Sequence, residues 1–383
     1  MAKQRRVIFV AMVDGFGADY LEASDMPVLR KLISNGAHRT VDACMPTVTN
    51  VNNASICTGE WAATHGITAN SWFDLATREE HYMDRGDMLL APTLFQRAAA
   101  AGMRSALLTA KVKTIRLLAA GAEIAIAAEQ PDQGWVSWLG PAPDIYSPDI
   151  NYWLFDAARW VLTHRPDIEV VYCHTTDYPM HMSEPAGELS QRHLAELDRR
   201  LGMLLDVRPD LELYLTADHG MNFKRRCHDL NRLLPERGVP IYFAMSAERD
   251  PYVKHHRTFG GSAYLWLNEP GDAARVRETL LRVEGVEAVH DRREAAARFQ
   301  LHPERIGDLL VLGDRDTVFG PLERATEDLP ATFRTHGSLH ESAVPLIVSG
   351  APVAPESWAE CRHNVDLTRA IDLAPRALAA RGA

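Results

Sequence analysis

Five segments of this chain are apolar almost without interruption: VIFVAMV (7–13), RSALLTA (104–110), IEVVYCHTT (168–176), LELYLTADHG (211–220) and AVPLIVSG (343–350). A strand with one wet face alternates apolar and polar residues. These do not alternate, so both of their faces must be covered. Between them run amphipathic stretches with helical spacing: MPVLRKLISNG (26–36), TLFQRAAAAG (93–102), YWLFDAARWVLTH (152–164) and GELSQRHLAELDRRLGMLL (187–205). The closing Gly36 of the first suits a helix C-cap. The alternation of buried strand and helix predicts an α/β fold whose mostly parallel central sheet is sandwiched by helices.

After about Met221 the rhythm changes. RTFGGSAYLWLNEP (257–270), AARVRETLLRVEGVEAVHDR (273–292) and RIGDLLVLGDRD (305–316) read as a smaller α+β unit, and the final DLTRAIDLAPRALAA (366–380) returns to helix. The expected organisation is a catalytic core over residues 1–222 and 334–383, with an inserted α+β cap over 223–333. A length of 383 residues suits two lobes or one large core with an insertion.

Composition narrows the function. Nearly half of the residues are apolar and the net charge is −10. That charge speaks against a general nucleic-acid binder, which needs a basic face to displace counterions. A small anionic substrate stays open, because a bound metal reverses the sign of a local field. The five cysteines (Cys44, Cys57, Cys173, Cys227, Cys361) include no C-x-x-C pair and suit reduced thiols. The N-terminal basic residues run into Arg6–Val13, read as a strand and not a signal peptide. No apolar stretch is long enough to span a bilayer, and the expected location is the cytoplasm.

In open α/β sheets, function gathers beyond the carboxyl ends of strands. Asp14 follows the first strand, Asp177 and His181 the third segment, Asp218 and His219 the fourth, and His336 lies in FRTHGSLHE just before the last. Asp177 and His181 share a face if their turn is helical. Any one of these is more often a cap, a turn or a solvated residue than a ligand. Together at one sheet edge they form a ligand set, too large for one catalytic zinc and suited to two. The stretch MPTVTNVNNASICTG (45–59) adds a hydroxyl that metal coordination could activate. Thr49 is the expected nucleophile and Thr47 its competitor, while Ser/Thr/Asn neighbours are expected to cap a helix starting near Asn52.

MVDG, MPTVTNVNNASICTG…HGITAN, TTDYPMH, TADHGM and RTHGSLHE, in this order, resemble the alkaline phosphatase superfamily. The branch is that of type I phosphodiesterases, nucleotide pyrophosphatases and phosphonoacetate hydrolases. The resemblance implies one zinc on Asp177, His181 and His336, and a second on Asp14, Thr49, Asp218 and His219, with Mn2+ or Fe as substitutes. It also implies a covalent phospho-enzyme on Thr49 that water hydrolyses. TNVNN around the nucleophile, Asn70 in HGITANSWFD, and Lys111 and Lys113 in LTAKVKTIRLL are similar to phosphonoacetate hydrolase. There the asparagine faces the phosphonate oxygens and the lysine pair binds the substrate carboxylate. The lysines, two residues apart, are expected on one side of an extended segment.

The expected activity is therefore hydrolysis of the carbon–phosphorus bond of phosphonoacetate, with a phosphodiesterase or nucleotide pyrophosphatase as the alternative. The expected ligand is a small anionic phosphonate or phosphate ester. No nucleic-acid or membrane partner is expected, and a homodimer is one possible assembly. His65, His174, His340 and the pair His255–His256 are assigned no ligand role. Tyr252, Phe259, Tyr264 and Trp266 are expected to fill the cap core.

Overall fold

The computed structural model describes residues 6–250, 252, 257–351 and 355–373. The central sheet has seven strands: β1 (Ile8–Met12), β2 (Ala37–Asp42), β3 (Arg104–Thr109), β4 (Ile124–Ala127), β5 (Ile168–His174), β6 (Glu212–Thr216) and β7 (Ala343–Ser349), in the order β2-β7-β6-β1-β5-β3-β4. β7 runs antiparallel to both of its neighbours, and the β1, β3, β4, β5 and β6 pairings are parallel. Every residue of β1, β5 and β6 is buried, including Glu169 and Glu212, as their mostly apolar, non-alternating composition predicts. Helices such as Asp149–His164 and Glu188–Val207 cover the sheet and share one hydrophobic core with it. No helix among the described residues is long and apolar enough to cross a membrane.

Two neighbouring parallel connections diverge around β1. Its partners are β5, reached through Ile8↔Val170, and β6, reached through Ile8↔Glu212. The carboxyl ends of β1, β5 and β6 therefore open onto one crevice, the usual place for a ligand in such a sheet.

Beyond β6 the chain forms a smaller body. Phe243–Ser246, Ser262–Trp266, Leu309–Gly313 and Val286–Asp291 make an antiparallel sheet in that order, flanked by helices Ala273–Leu280 and Arg292–Phe299. Asn222–Phe223 pairs with Arg334–Thr335 where the chain leaves and rejoins the central sheet. One face of the smaller sheet, with Tyr264, Trp266 and Leu310, packs against Met45, Val48 and Val51 beside the crevice. The smaller body thus rests on the segment that carries Thr49.

Three local expectations need correction. The helix after Met45 spans Thr49–Thr58 and starts three residues before Asn52; its N-cap is Val48, without a side-chain cap. Lys111 and Lys113 do not lie on an extended segment, because Lys111 is the N-cap of helix Val112–Leu118. The stretch expected as one helix from Asp366 is helical only over Asp366–Arg369 among its described residues; residues 374–380 of that stretch, and His255–His256, lie outside the described residues.

Candidate active site

The polar run around Thr49 is a set of buried struts. All ten residues of helix Thr49–Thr58 are buried. Asn52 accepts from the Cys44 amide at 2.8 Å and donates to the Cys44 carbonyl at 2.9 Å, tying the helix to the strand-end loop. Asn53 accepts from the Tyr172 hydroxyl at 2.8 Å and reaches His174 Nδ1 at 3.0 Å. Ser55 pairs with His65 Nε2 at 2.9 Å. A helix polar on every side is stable inside a core only when such partners exist.

These contacts leave Thr49 at the first helical position, buried, with a hydroxyl that makes no hydrogen bond among the described residues. Thr47 differs. Its hydroxyl donates to the Ser338 carbonyl at 2.8 Å and accepts from the Gly337 amide at 3.1 Å. Thr47 is a structural tie.

The structure brings Asp14, Asp177, His181, Asp218, His219 and His336 together at the crevice, all buried. His219 Nε2 lies 3.2 Å from Asp218 Oδ2 and 3.6 Å from Asp14 Oδ1. His181 Nε2 is 2.7 Å and His336 Nε2 3.8 Å from Asp177 Oδ2. The His219 and His336 rings stack with centroids 3.5 Å apart. Asp177 caps helix Tyr178–Met182, so the i, i+4 pair does share a face. Gly15, at φ +74°, sits where a Cβ would come within 2.9 Å of Asp177 Cβ; a side chain there would wedge the two loops apart.

The three histidines are oriented alike. Their Nδ1 atoms face the carbonyls of Arg334 at 2.8 Å (His181), Gly220 at 3.0 Å (His219) and Thr47 at 2.8 Å (His336). A carbonyl only accepts, so each Nδ1 carries the proton and each Nε2 offers a lone pair inward. Asp218 is fixed similarly: its Oδ1 accepts from the Gly15 and His219 amides, both at 3.0 Å, leaving Oδ2 for the crevice. Asp14 Oδ1, Asp218 Oδ2, His219 Nε2 and His336 Nε2 are buried without hydrogen-bond partners.

Orphaned carboxylate oxygens and imidazole lone pairs in one dry pocket are costly by themselves and fit a divalent cation. Ligand atoms of Asp177, His219 and His336, and of Asp14, Asp218 and His219, lie within 4.8 Å of one another. Either trio could hold a metal.

Electrostatics agree with that reading. Burial and the adjacent Asp14 push the Asp218 carboxyl well above its ordinary range. Burial and Asp177 also push Asp14 upward, but Lys111, His174 and His219 outweigh them and hold it below that range. Burial, reinforced by His219, holds the His336 imidazole well below its ordinary value.

Lys111 and Lys113 are both buried at the same crevice, from a helix start rather than a strand. Lys111 Nζ lies 3.4 Å from Asp14 Oδ2. Lys113 Nζ donates to the Tyr82 hydroxyl at 2.6 Å and forms an ion pair with Asp250, while Tyr82 also donates to Asp250 at 3.0 Å. Burial opposes the charged lysines, yet Asp14 and Asp250 raise their pKa values. A cavity of about 180 Å³ opens beside them, lined also by Arg116, Tyr146 and Tyr252. Tyr252 is exposed at its mouth, unlike Phe259, Tyr264 and Trp266, which are buried. Asn70 accepts from the Asn50 amide at 3.2 Å and donates to Glu248 Oε2 at 3.1 Å, placing it one residue from Thr49.

Sequence reasoning missed Glu248, Asp250 and Tyr82. The first two follow Phe243–Ser246, a strand of the antiparallel smaller sheet, where the carboxyl-end rule for open parallel sheets gives no signal. Tyr82 ends the hairpin strand Glu79–Tyr82 and carried no such signal. Of the unassigned histidines, His174 does reach the site, 3.4 Å from Asp14. His65 and His340 instead pair with Ser55 and with Glu287.

Phosphonoacetate hydrolase from Sinorhizobium meliloti 1021, solved with phosphonoformate and with phosphonoacetate, is 30% identical and superposes with a TM-score of 0.85 over 95% of this chain and 94% of that one. Murine ectonucleotide pyrophosphatase/phosphodiesterase 5 in complex with AMP shares the fold at 17% identity, with a TM-score of 0.70 over 99% and 97%. Among curated proteins, the venom phosphodiesterase of Naja atra is 29% identical over 55% of this chain and 25% of its own length. The bis(5'-adenosyl)-triphosphatase of Bos taurus is 26% identical over 56% and 47%. The matched region thus spans about a quarter to a half of these curated relatives. The sequence pattern of type I phosphodiesterase/nucleotide pyrophosphatase matches residues 8–339, and this chain, with its alkaline phosphatase-like fold, belongs to that family.

Proposed function

We propose that this protein hydrolyses phosphonoacetate to acetate and phosphate, using two zinc ions and Thr49 as nucleophile. The observation that carries the substrate is the lysine pair: two buried ammonium groups, Lys111 beside Asp14 and Lys113 beside Asp250, line one small cavity. Similarity to phosphonoacetate hydrolase over nearly the whole chain supports it.

Asp177, His181 and His336 would hold one ion, and Asp14, Thr49, Asp218 and His219 the other. When bound, such a pair lowers the pKa of a coordinated hydroxyl and neutralises charge on phosphoryl oxygens. Thr49 Oγ attacks phosphorus, the P–C bond breaks, and its electron pair moves into the departing acetate unit. That charge spreads onto the carboxylate, where Lys111 and Lys113 stabilise it as it develops. The leaving carbon takes a proton, and water then cleaves the phosphothreonine to free Thr49 and phosphate. Asn70, positioned by the Asn50 amide at the start of helix Thr49–Thr58, would face the phosphoryl oxygens. Residues 223–333 act as the cap that closes the crevice, and five buried cysteines outside any disulfide suit a reducing compartment such as the cytoplasm.

One observation favours a second reading, a phosphodiesterase or pyrophosphatase. Lys113 is already paired with Asp250, and Tyr146 and Tyr252 offer aromatic surface at the cavity mouth. The deciding experiment measures phosphate release from phosphonoacetate against a panel of diesters, monoesters and other phosphonates. The phosphonate reading expects phosphonoacetate to have the highest kcat/KM. A diester that outpaces it overturns that reading.

A further inference from the structure

Glu248 projects from the smaller body into the centre of the crevice. It is buried, its Oε2 accepts the Asn70 side-chain N–H at 3.1 Å, and its Oε1 lies 3.7 Å from His336 Nε2. Both neighbours are groups assigned above to the handling of a phosphoryl anion, directly or through a metal. The loop cannot easily withdraw. Glu248 N–H donates to Ser246 Oγ at 3.2 Å, and Gly260 packs so closely that a Cβ there would come within 2.7 Å of Glu248 Cβ. The nearest lysines are engaged elsewhere, Lys113 with Asp250 and Lys111 with Asp14.

We propose that Glu248 is a specificity-determining residue whose carboxylate occupies the place of a phosphoryl oxygen and competes with anionic ligands for the site. A carboxylate and a phosphoryl group both seek the Asn70 N–H, and both would seek a cation held by His336; as like charges they repel each other. When Glu248 is ionised, the competition falls hardest on phosphoryl groups that carry two negative charges, because each added charge meets the same carboxylate. Glu248 therefore grades ligands by phosphoryl charge. This rests on the reading of Asn70 and the metal centre as phosphoryl-binding, and not on which bond to phosphorus is broken.

The test is calorimetric titration of zinc-loaded protein with inorganic phosphate at pH 8, comparing the unaltered chain with Glu248→Gln. Glutamine keeps an oxygen for the Asn70 N–H and removes the charge. The expected result is at least tenfold tighter phosphate binding, or about 1.4 kcal/mol, with unchanged zinc content by elemental analysis. Glu248→Ala, checked for zinc content and melting temperature, should move in the same direction. Unchanged or weaker phosphate affinity in both variants overturns the proposal. So does loss of zinc from Glu248→Gln, which would make Glu248 a metal ligand and not a competitor. Absence of phosphonoacetate turnover would defeat the substrate reading while leaving this comparison of phosphate affinities intact.

Discussion

Replacing Lys113 by alanine should damage the protein in two separable ways. The Lys113 and Asp250 side chains are 9% and 1% exposed, so removing the ammonium leaves a carboxylate buried with, among the described residues, only the Tyr82 hydroxyl and the Tyr252 amide as donors. Breaking one side of such a pair costs roughly 3–5 kcal/mol. Removing both charges in Lys113→Met/Asp250→Asn should recover most of that loss, because the uncompensated ion is gone. The catalytic effect is distinct. If Lys113 also meets the substrate carboxylate, its loss removes a charge-assisted contact of roughly 1.5–3 kcal/mol, or about ten- to over a hundredfold. That loss should fall on phosphonoacetate and spare an aryl phosphate ester, which has no such carboxylate. Urea denaturation gives the first quantity, and the ratio of kcat/KM for the two substrates gives the second. The ratio cancels damage to folding or metal loading. Equal losses for both substrates would mean that Lys113 only props Asp250. A stability loss below about 1 kcal/mol would refute the buried-pair argument itself.

Thr49→Ala should retain metal but lower kcat by several orders of magnitude, whereas Thr47→Ala should keep the nucleophile and lose stability through its ties to Ser338 and Gly337; a dead Thr47→Ala beside an active Thr49→Ala would reverse the assignment. Glu341 receives Lys224 at 2.7 Å and Ser338 N–H at 3.0 Å, and both members of the ion pair are fully buried. Burial alone would raise its carboxyl, but Lys224 prevails and lowers it. Its contribution is then present above the ordinary value of 4.5 and is lost as pH falls through the folded value. In urea titrations of metal-free protein, Glu341→Gln should be several kcal/mol weaker than the parent at pH 7. The gap should narrow below pH 4.5; a gap independent of pH would contradict the linkage.

The sheet was legible because strands covered on both faces are mostly apolar and do not alternate. β1, β5 and β6 stand out for that reason, and so do Asp14, Asp177 and Asp218, the first acids after them. Helix starts were less legible. The usual signal is a capping side chain, and Val48 has none to offer, so Asn52 looked like the boundary while it was in fact a brace to Cys44. Lys111 and Lys113 were assigned to one side of a strand by a two-residue period, but the chain turns helical between them. They reach one crevice because Lys111 lies outside the helix and Lys113 within its first turn. Glu248 and Asp250 were invisible for a different reason. Their meaning depends on where a second sheet is set down on the first, and no local pattern encodes that placement. Tyr252 misled through its apolar ring, since an aromatic at a pocket rim and one in a core have the same letter.

The order of strands across the central sheet has a consequence for the birth of the molecule. Asp14 follows β1, the first strand of the sheet in chain order, and His336, which completes the cluster, comes only just before β7, the last of the seven. Because β7 inserts between β2 and β6, those two strands stay parted until β7 has been made. An early cluster of Asp14, Asp177, Asp218 and His219 would lack both the stacked ring of His336 and the carbonyl of Arg334 that aims His181. Completion of the Asp177, His181 and His336 group is therefore a closing event of assembly, whereas Asp14, Asp218 and His219 can meet before the last strand is threaded home.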